Sequence, residues 1–586
     1  MSKQTNLSPA EIAAQDALDC IYTCIREKTS FILEAGAGAG KTHSLVQALR
    51  HIIKIYGREL IRNNQRVACI TYTNVAKNEI RTRTDGHPAV LSETIHAFCW
   101  SVIKDFQPKL RAEVPSLGGR WADRIAEHGE IGNKTVKYDL GYPKIDNETV
   151  WLGHNDIIAL AVKLLEEPKF RTIFKKRYPI LFIDEYQDTD KDFASALKQH
   201  FLGTTAGPQI GFFGDHWQKI YGSSACGKIE HTSLVVIEKK ANFRSDKAIV
   251  DCLNRFRSDL PQNIKDPTST GSIVVFHTNN WQGTRLTGGH WDGDLPHEVA
   301  HGYLVNVRAY LTANEWDLSP EKTKVLMLTH NVLADEQGYR NLANVFSRTE
   351  SFIKKEDDYI AFFEEVLEPA CLAYEQRKYG EMIELLSSRQ LTIKRHSDKV
   401  KWTTAMDKLF LLRQNGTIGE MIDQLKATKL PRLPDNLDRK ESRYSLILGK
   451  NEEDRDDDEN EFVEQLKKLK AVPYKEVTAL VQFIQEKTPF ATKHGVKGSE
   501  FENVLVVFGR GWNQYNFGQM LEWAGTKIPN GKHDSFERNR NLFYVACSRP
   551  KKRLALLFTQ SLSNQAMATI SNWFGAANIR ALGRAP

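Results

Sequence analysis

The stretch FILEAGAGAGKT, residues 31–42, decides how the rest of this 586-residue chain is read. Phe31 to Leu33 form a short apolar strand signal, a glycine-rich turn follows, and Leu45, Leu49, Ile52 and Ile53 then recur at helical spacing. Such an arrangement cradles phosphate. Gly36, Gly38 and Gly40, with Ala37 and Ala39 between them, let backbone N–H groups close around a polyphosphate, and the N-terminus of the following helix adds its dipole. Lys41 is placed to reach the terminal phosphates and Thr42 a magnesium ion. Ala35 stands where the strict pattern has its first glycine. On this stretch alone, a glycine-rich turn before an ordinary helix reads the same way.

The chain is too long for one core, and its hydrophobic (41%) and charged (26%) fractions are those of a globular domain protein. No run of ~18 apolar residues occurs, and MSKQTNLSPAEIAAQ at the start lacks an apolar signal core, so the expected location is the cytoplasm, with no membrane partner. Eight scattered cysteines form no CxxC pair and no zinc or iron–sulfur spacing. The net charge of +7 is compatible with nucleic acid. One block, EEDRDDDENE at 452–461, is strongly acidic and reads as a solvated loop or helix face.

Residues 1–30 read as a helix started by Ser8-Pro9. After the cradle come a strand at Val67 to Thr73, a helix carrying Lys77, Arg81 and Arg83, and a loop beside the sheet at Thr94 to Phe98. The parallel-sheet signal returns at Ile180 to Ile183, ending in Asp184-Glu185, and at Gln209 to Phe213, ending in Gly214-Asp215. Three later buried-strand signals, 325–328, 504–507 and 554–557, indicate a second α/β domain. The stretch 101–177 is mostly helical with a turn-rich middle, and 350–476 is helical and charged. Asp184-Glu185 completes an ATP site: the first carboxylate faces the magnesium, the second polarises the attacking water.

The motifs AGAGAGKT (35–42), TYTNVAKNEI (71–80), TIHAF (94–98), DEYQDT (184–189), GDHWQKIYG (214–222), NFRS (242–245), THN (329–331), TKHGVKGSEF (492–501) and NLFYVACSR (541–549) follow one another in order. In this the chain resembles the UvrD/Rep/PcrA-type superfamily 1 DNA helicases from about residue 31 to 559, a family that often opens the loop with alanine. The resemblance implies two RecA-like α/β domains of doubly wound parallel sheet, each interrupted by a mainly helical insertion. The first would span 1–100 and 178–248 around 101–177, the second 249–349 and 477–586 around 350–476.

By the same resemblance ATP and Mg2+ are the cofactors. Lys41 and Thr42 take phosphate and metal, Asp184 is the metal partner, and Glu185 is the catalytic base. Gln218 couples the γ-phosphate or its water to the DNA site, and Arg244 and Arg549 neutralise the γ-phosphate across the interdomain cleft. Glu500 meets the ribose, and Phe243 stacks on adenine. Tyr72, Thr73, Asn74, His96, Phe98, Tyr221, Asn331, Thr492 and His494 match the family's single-stranded DNA contacts, where stacking and phosphate contacts tolerate any sequence. Lys77, Arg81 and Arg83 read as solvated helix charges.

Departures from the family pattern are His43 for the arginine after GKT, Ser223 for a tryptophan, and THN without its arginine. The adenine-reading glutamine has Gln15 as candidate, with Glu11 nearer the usual place. Because 37 residues follow Arg549, no fused nuclease domain is expected. The resemblance implies an ATP-dependent 3′-to-5′ translocase and helicase acting on single-stranded and tailed duplex DNA. The alternative is a DNA-sensing regulatory ATPase with weak unwinding, beside an OLD-family-type partner nuclease. Small UvrD-like helicases of Gabija-type phage defence are similar in outline, and Ser223 favours that alternative. A scaffold without turnover is disfavoured because every catalytic position is filled.

Overall fold

Alternation along the first strand sends Phe31 and Leu33 into one hydrophobic cluster and Ile32 into another, so both faces of the sheet that this strand joins are buried. The computed structural model describes residues 7–138, 143–204, 207–220, 222, 224–289, 291–327, 334, 336–346, 357–386, 395–485, 488, 490–491, 499–510 and 515–583. The chain divides into two compact units: Met1–Val274 with Asn516–Leu554 and Leu562–Ile579, and Val275–Tyr515 with Ala555–Ser561 and Arg580–Pro586.

In the first unit, helix α1 (Pro9–Glu27) is started by a capping box between Ser8 and Glu11. Strand β1 (Phe31–Ala35) leads through the glycine-rich loop into α2 (Lys41–Arg62). Then come β2 (Val67–Thr71), α3 (Asn74–Arg83), β3 (Val90–Thr94) and α4 (Ile95–Ile103). The expected loop at 94–98 is thus a strand end and a helix start. The apolar run IHAFCWSVI gives α4 enough buried side chains, Ile95, Phe98, Cys99 and Ile103, to pack as a helix.

The turn-rich middle of the 101–177 insertion folds as well: β4 (Thr135–Tyr138), β5 (Lys144–Ile145) and β6 (Thr149–Leu152) form a small sheet in the order β4-β6-β5. Helices flank it, and its Val136, Val150 and Leu152 share one core cluster with Ala68 and Ile70 of β2. Strands β7 (Ile180–Asp184), β8 (Gln209–Gly214) and β9 (Val235–Lys239) complete the main sheet, ordered β3-β2-β7-β8-β1-β9 and parallel throughout.

Gly211 of β8 sits in register with Phe31 and Phe182, and a Cβ there would lie 2.7 Å from both rings. The absent side chain lets Phe31, Phe182 and Phe213 pack edge to face within the sheet. Because all the strands run one way, the cradle, Asp184-Glu185, Gly214-Asp215 and Tyr72 all leave the sheet at its carboxyl edge.

Two-residue strands β10 (Ala241–Asn242) and β11 (Asn263–Ile264) pair as a separate parallel sheet. The second main sheet has the order β14-β13-β15-β16-β12-β17, from β12 (Ser272–His277), β13 (Thr323–Met327), β14 (Phe490–Ala491), β15 (Phe501–Phe508), β16 (Pro550–Phe558) and β17 (Ile579–Ala581). The expected strands at 504–507 and 554–557 lie within β15 and β16; that at 325–328 overlaps β13, with Leu328 outside the described residues.

Among the described residues, 357–476 contains helices and no strand. The acidic block becomes a 3-10 turn, Glu452–Asp454, and the start of the helix Asp457–Ala471, which Asp456 caps by accepting from the Glu459 N–H at 2.7 Å. Acidic residues there complement the helix dipole.

Candidate nucleotide site

Glycine geometry opens the cradle. Gly38 (φ 76°) and Gly40 (φ 72°) hold left-handed backbone, and a Cβ on Gly38 would lie 2.8 Å from both Arg244 Cβ and Asn242 Oδ1. The NFRS stretch therefore rests directly on the loop: the Phe243 N–H donates to Gly38 O (2.8 Å), and Asn242 Nδ2 and Gln262 Nε2 donate to Ala37 O (3.2 and 3.1 Å). Asn242 Oδ1 accepts from the N–H groups of Arg244 and Ser245, both at 2.9 Å, which fixes the direction in which Arg244 leaves the chain. Arg244 Nη1 then donates to Ser548 O at 2.9 Å.

Lys41 opens α2 with its Nζ 3.8 Å from Glu185 Oε1, and Gln187 Nε2 donates to Glu185 Oε2 at 2.7 Å. Asp184 is buried at the end of β7; burial and the neighbouring Glu185 push its carboxyl up to about 7. Across the site, Gln218 Nε2 donates to Asp215 Oδ2 (2.8 Å), and Gln218 Oε1 accepts from Arg549 Nη2 (3.2 Å). Arg549 is 1% exposed, and burial together with Arg244 pulls it below the usual arginine range. It is anchored by Nε to Val545 O at 2.8 Å, at the end of the helix His533–Cys547. Glu185, Gln218, Arg244 and Arg549 thus stand in one compact unit with Lys41.

Phe243 (38% exposed) and His43 flank the far end of the loop: a Cβ on Gly40 would lie 3.9 Å from Phe243 Cδ2 and 3.8 Å from His43 Cβ. Burial and then Lys239 hold His43 below its ordinary value. An aromatic ring and a neutral imidazole therefore border the space beside the cradle. Gln15 is exposed on α1 and donates to Asp19 at 2.9 Å, and Glu11 is used by the capping box. Glu500 is exposed in the second unit, one residue before β15.

Of the residues expected at DNA, Tyr72 (44% exposed), Thr73 and Asn74 lie exposed at the carboxyl end of β2, where Thr73 Oγ1 caps α3 by accepting from the Ala76 N–H. His96 is half-buried and stacked on His154, with ring centroids 3.3 Å apart; burial and His154 push it down to about 4. Phe98 is a correction. It is 1% exposed and packs against Phe174 and Tyr178, because the period of α4 turns it into the core, so it presents no face to a base. Tyr221, Asn331, Thr492 and His494, like Ser223, lie outside the described residues. Lys77 and Arg83 pair with Glu93 (2.6 Å) and Glu79 (2.8 Å), in keeping with helix charges.

Several further residues build the site. Lys239 is 1% exposed; its Nζ donates to Gly40 O (3.1 Å) and Ser44 Oγ (2.7 Å), and burial and Lys41 bring it down to about 8. Arg257 Nη1 lies 2.7 Å from Asp215, and against burial Arg257 and Lys41 keep that carboxylate below its ordinary value. Asn541 Nδ2 donates to His216 O and Lys219 O, both at 3.2 Å, pinning the GDHWQ turn. For Asn541 the available signal was membership of NLFYVACSR; for Arg257 and Lys239 there was none.

A glycine cradle, a lysine–glutamate pair and a buried arginine on a second element, set at the carboxyl edge of a parallel sheet, define a P-loop nucleoside triphosphatase with two RecA-like domains. Comparison with known proteins narrows the class. Residues 20–224 match the AAA domain family model, and residues 444–561 match the UvrD-like helicase C-terminal domain. The Gabija protein GajB of Bacillus cereus (strain HuB5-5) is 25% identical across 94% of this chain and 96% of its own length. The ATP-dependent DNA helicase Rep of Buchnera aphidicola subsp. Schizaphis graminum is 21% identical over 90% of this chain and 91% of that protein. The ATP-dependent DNA helicase PcrA of Staphylococcus aureus (strain Mu50) is 22% identical over 38% and 37%. The chain belongs to the UvrD-like helicases, a family of ATP-dependent DNA helicases.

Proposed function

We propose that this chain hydrolyses ATP to move 3′ to 5′ along single-stranded DNA and to unwind tailed duplexes. The observation that carries the reading is the Gln218 bridge, which ties Asp215 of one motif to Arg549 of another within reach of the cradle. Phosphoryl transfer depends on positioning and on neutralising charge, so groups that are already aimed do most of the work. Glu185, oriented by Gln187 and by Lys41, accepts a proton from the attacking water. Arg244 and Arg549 neutralise the γ-phosphate, and Gln218 links that event to the GDHWQ turn. Phe243 and His43 border the adenine, and Glu500 meets the ribose. Thr42 and the buried carboxyl of Asp184 supply the hard oxygen donors that Mg2+ takes, and they would hold it there. The ion supplies charge neutralisation on the phosphates. Tyr72, Thr73 and Asn74 meet the strand, with Tyr72 as the stacking platform.

The test is DNA-stimulated ATPase of the full chain: Lys41→Ala and Arg549→Ala each abolish it, and retention by either defeats the motor reading. Unwinding confined to 5′-tailed duplexes overturns the polarity.

Similarity to a Gabija protein over 94% of the chain favours a second reading: a DNA-sensing ATPase that controls a partner nuclease of OLD-family type in cytoplasmic phage defence. Recovery of a stoichiometric nuclease with the tagged chain, together with weak unwinding by the chain alone, selects it over the autonomous helicase.

A further inference from the structure

We propose that Tyr544 senses the terminal phosphate of the bound nucleoside triphosphate and reports it to Gln218 and Arg549, with Arg257 as the positioning residue that aims its hydroxyl. This rests on the reading of the cradle as the ATP site. Tyr544 is 1% exposed, and its hydroxyl oxygen accepts two bonds, from the Ala37 N–H at 2.9 Å and from Arg257 Nη1 at 3.0 Å. Two accepted bonds use both lone pairs, so the O–H itself is left as the donor. The hydroxyl lies at the loop: a Cβ on Gly36 would be 3.1 Å from it. A tyrosine that holds a cradle amide and keeps a proton to give is placed to donate to a phosphate oxygen. A hydrogen bond to a charged group is among the stronger kinds.

The partner of that hydroxyl is built for one orientation. Arg257 is 2% exposed, and Nη1 serves both Tyr544 and Asp215, while Nε and Nη2 are buried without a hydrogen-bond partner among the described residues. Its guanidinium lies over the rings of Trp217 (5.3 Å) and Tyr544 (5.0 Å), which hold it in place by cation–π attraction. A buried arginine satisfied at one corner is a poor source of stability. The corner that is satisfied joins the cradle to Asp215, which also accepts from the Trp217 N–H and from Gln218 Nε2, and Gln218 Oε1 in turn accepts from Arg549. Ala37, Tyr544, Arg257, Asp215, Gln218 and Arg549 thus form a continuous hydrogen-bonded path. Tyr544 and Arg549 are carried by the same helix end, which closes the path into a ring. A phosphate that accepts a hydrogen bond from the Tyr544 hydroxyl pulls on the same ring that holds Gln218.

The experiment measures equilibrium binding of fluorescent ADP and fluorescent ATPγS, each with Mg2+, to the full-length chain. Tyr544→Phe removes the hydroxyl alone; it is expected to weaken ATPγS about tenfold and to leave ADP within about twofold. Arg257→Met gives the same selective loss, and the double variant loses no more than either single one, as residues acting through one bond do. Arg257→Lys does not restore selectivity, because a flexible ammonium lacks the planar contact with the Trp217 and Tyr544 rings that aims Nη1. Equal losses for both nucleotides, additive losses, or an unchanged Tyr544→Phe overturn the proposal. Should Arg257→Met not fold, Tyr544→Phe decides by itself. Lys41→Ala separates the two levels: if it leaves both affinities intact, the ATP-site reading fails and not the relay.

Discussion

Buried charge is handled in opposite ways in the two compact units. In the helical insertion of the second unit, Glu441 is 0% exposed and accepts from Tyr359 OH (2.8 Å), Lys470 (2.7 Å) and Lys426 (3.3 Å). Glu368 is likewise buried and is gripped by the Arg413 fork at 3.0 and 2.7 Å. Each carboxylate has its counter-charge and its hydrogen bonds. Around the cradle of the first unit the cations stand differently: Arg257 pairs with Asp215 but has two buried nitrogens without a hydrogen-bond partner among the described residues, and Lys239 and Arg549 each lie near a like charge, Lys41 and Arg244. Like charges gathered in a dry place are expensive until an anion joins them. The insertion's charges hold a fold, and on the proposed function the cradle's charges await a polyphosphate.

Substitutions that remove one member from each region put that contrast at risk. The largest effect is expected from Arg549→Ala, which lowers DNA-stimulated ATP turnover by roughly 10³-fold while the urea midpoint hardly moves, since the cation removed was not a source of stability. Arg413→Ala reverses the pattern. It leaves Glu368 buried and unpaired and lowers folding stability by about 3–5 kcal/mol in urea titration, while turnover per folded molecule persists. A destabilised Arg549→Ala beside an unaffected Arg413→Ala breaks the comparison.

Lys239 sharpens it through pH. Its value in the fold, about 8, lies below that of an unfolded lysine, so between the two the unfolded chain binds more protons and stability rises with pH. Urea stability is expected to climb by roughly 1–3 kcal/mol from pH 8 to pH 10.5, and Lys239→Met flattens that climb.

What could be read from the chain divides along physical lines. Strands at 31–33, 180–183 and 209–213 were legible because a strand covered on both faces is an unbroken apolar run. Strands β3 and β9 end the sheet on its two sides. VLSET is half-buried throughout, and VVIEK leaves Val235 (41%) and Val236 (62%) exposed, so neither produces that run. The small sheet at 135–152 was hidden by its short strands among turn residues. The cradle, the DEYQDT and GDHWQ turns and the NFRS arginine were legible because the chemistry demands fixed spacing. Arg257 was not: it follows Arg244 in a stretch, CLNRFRSDL, that has no pattern, and its role comes entirely from the fold bringing Asp215 and Tyr544 to it. Phe98 misled because motif position says nothing about which side of a helix a residue faces.

Glu185 sits at φ 48°, in the left-handed region that a side chain other than asparagine or aspartate enters at a cost of roughly 1–2 kcal/mol. The proposed catalytic base is therefore also a point of stored backbone strain. Glu185→Asn is expected to melt a few degrees higher than the wild type while losing turnover. Selection for heat resistance and selection for motor speed pull against each other at this one residue, and an inactive chain that outlives the active one is the form most suited to capturing DNA without consuming fuel.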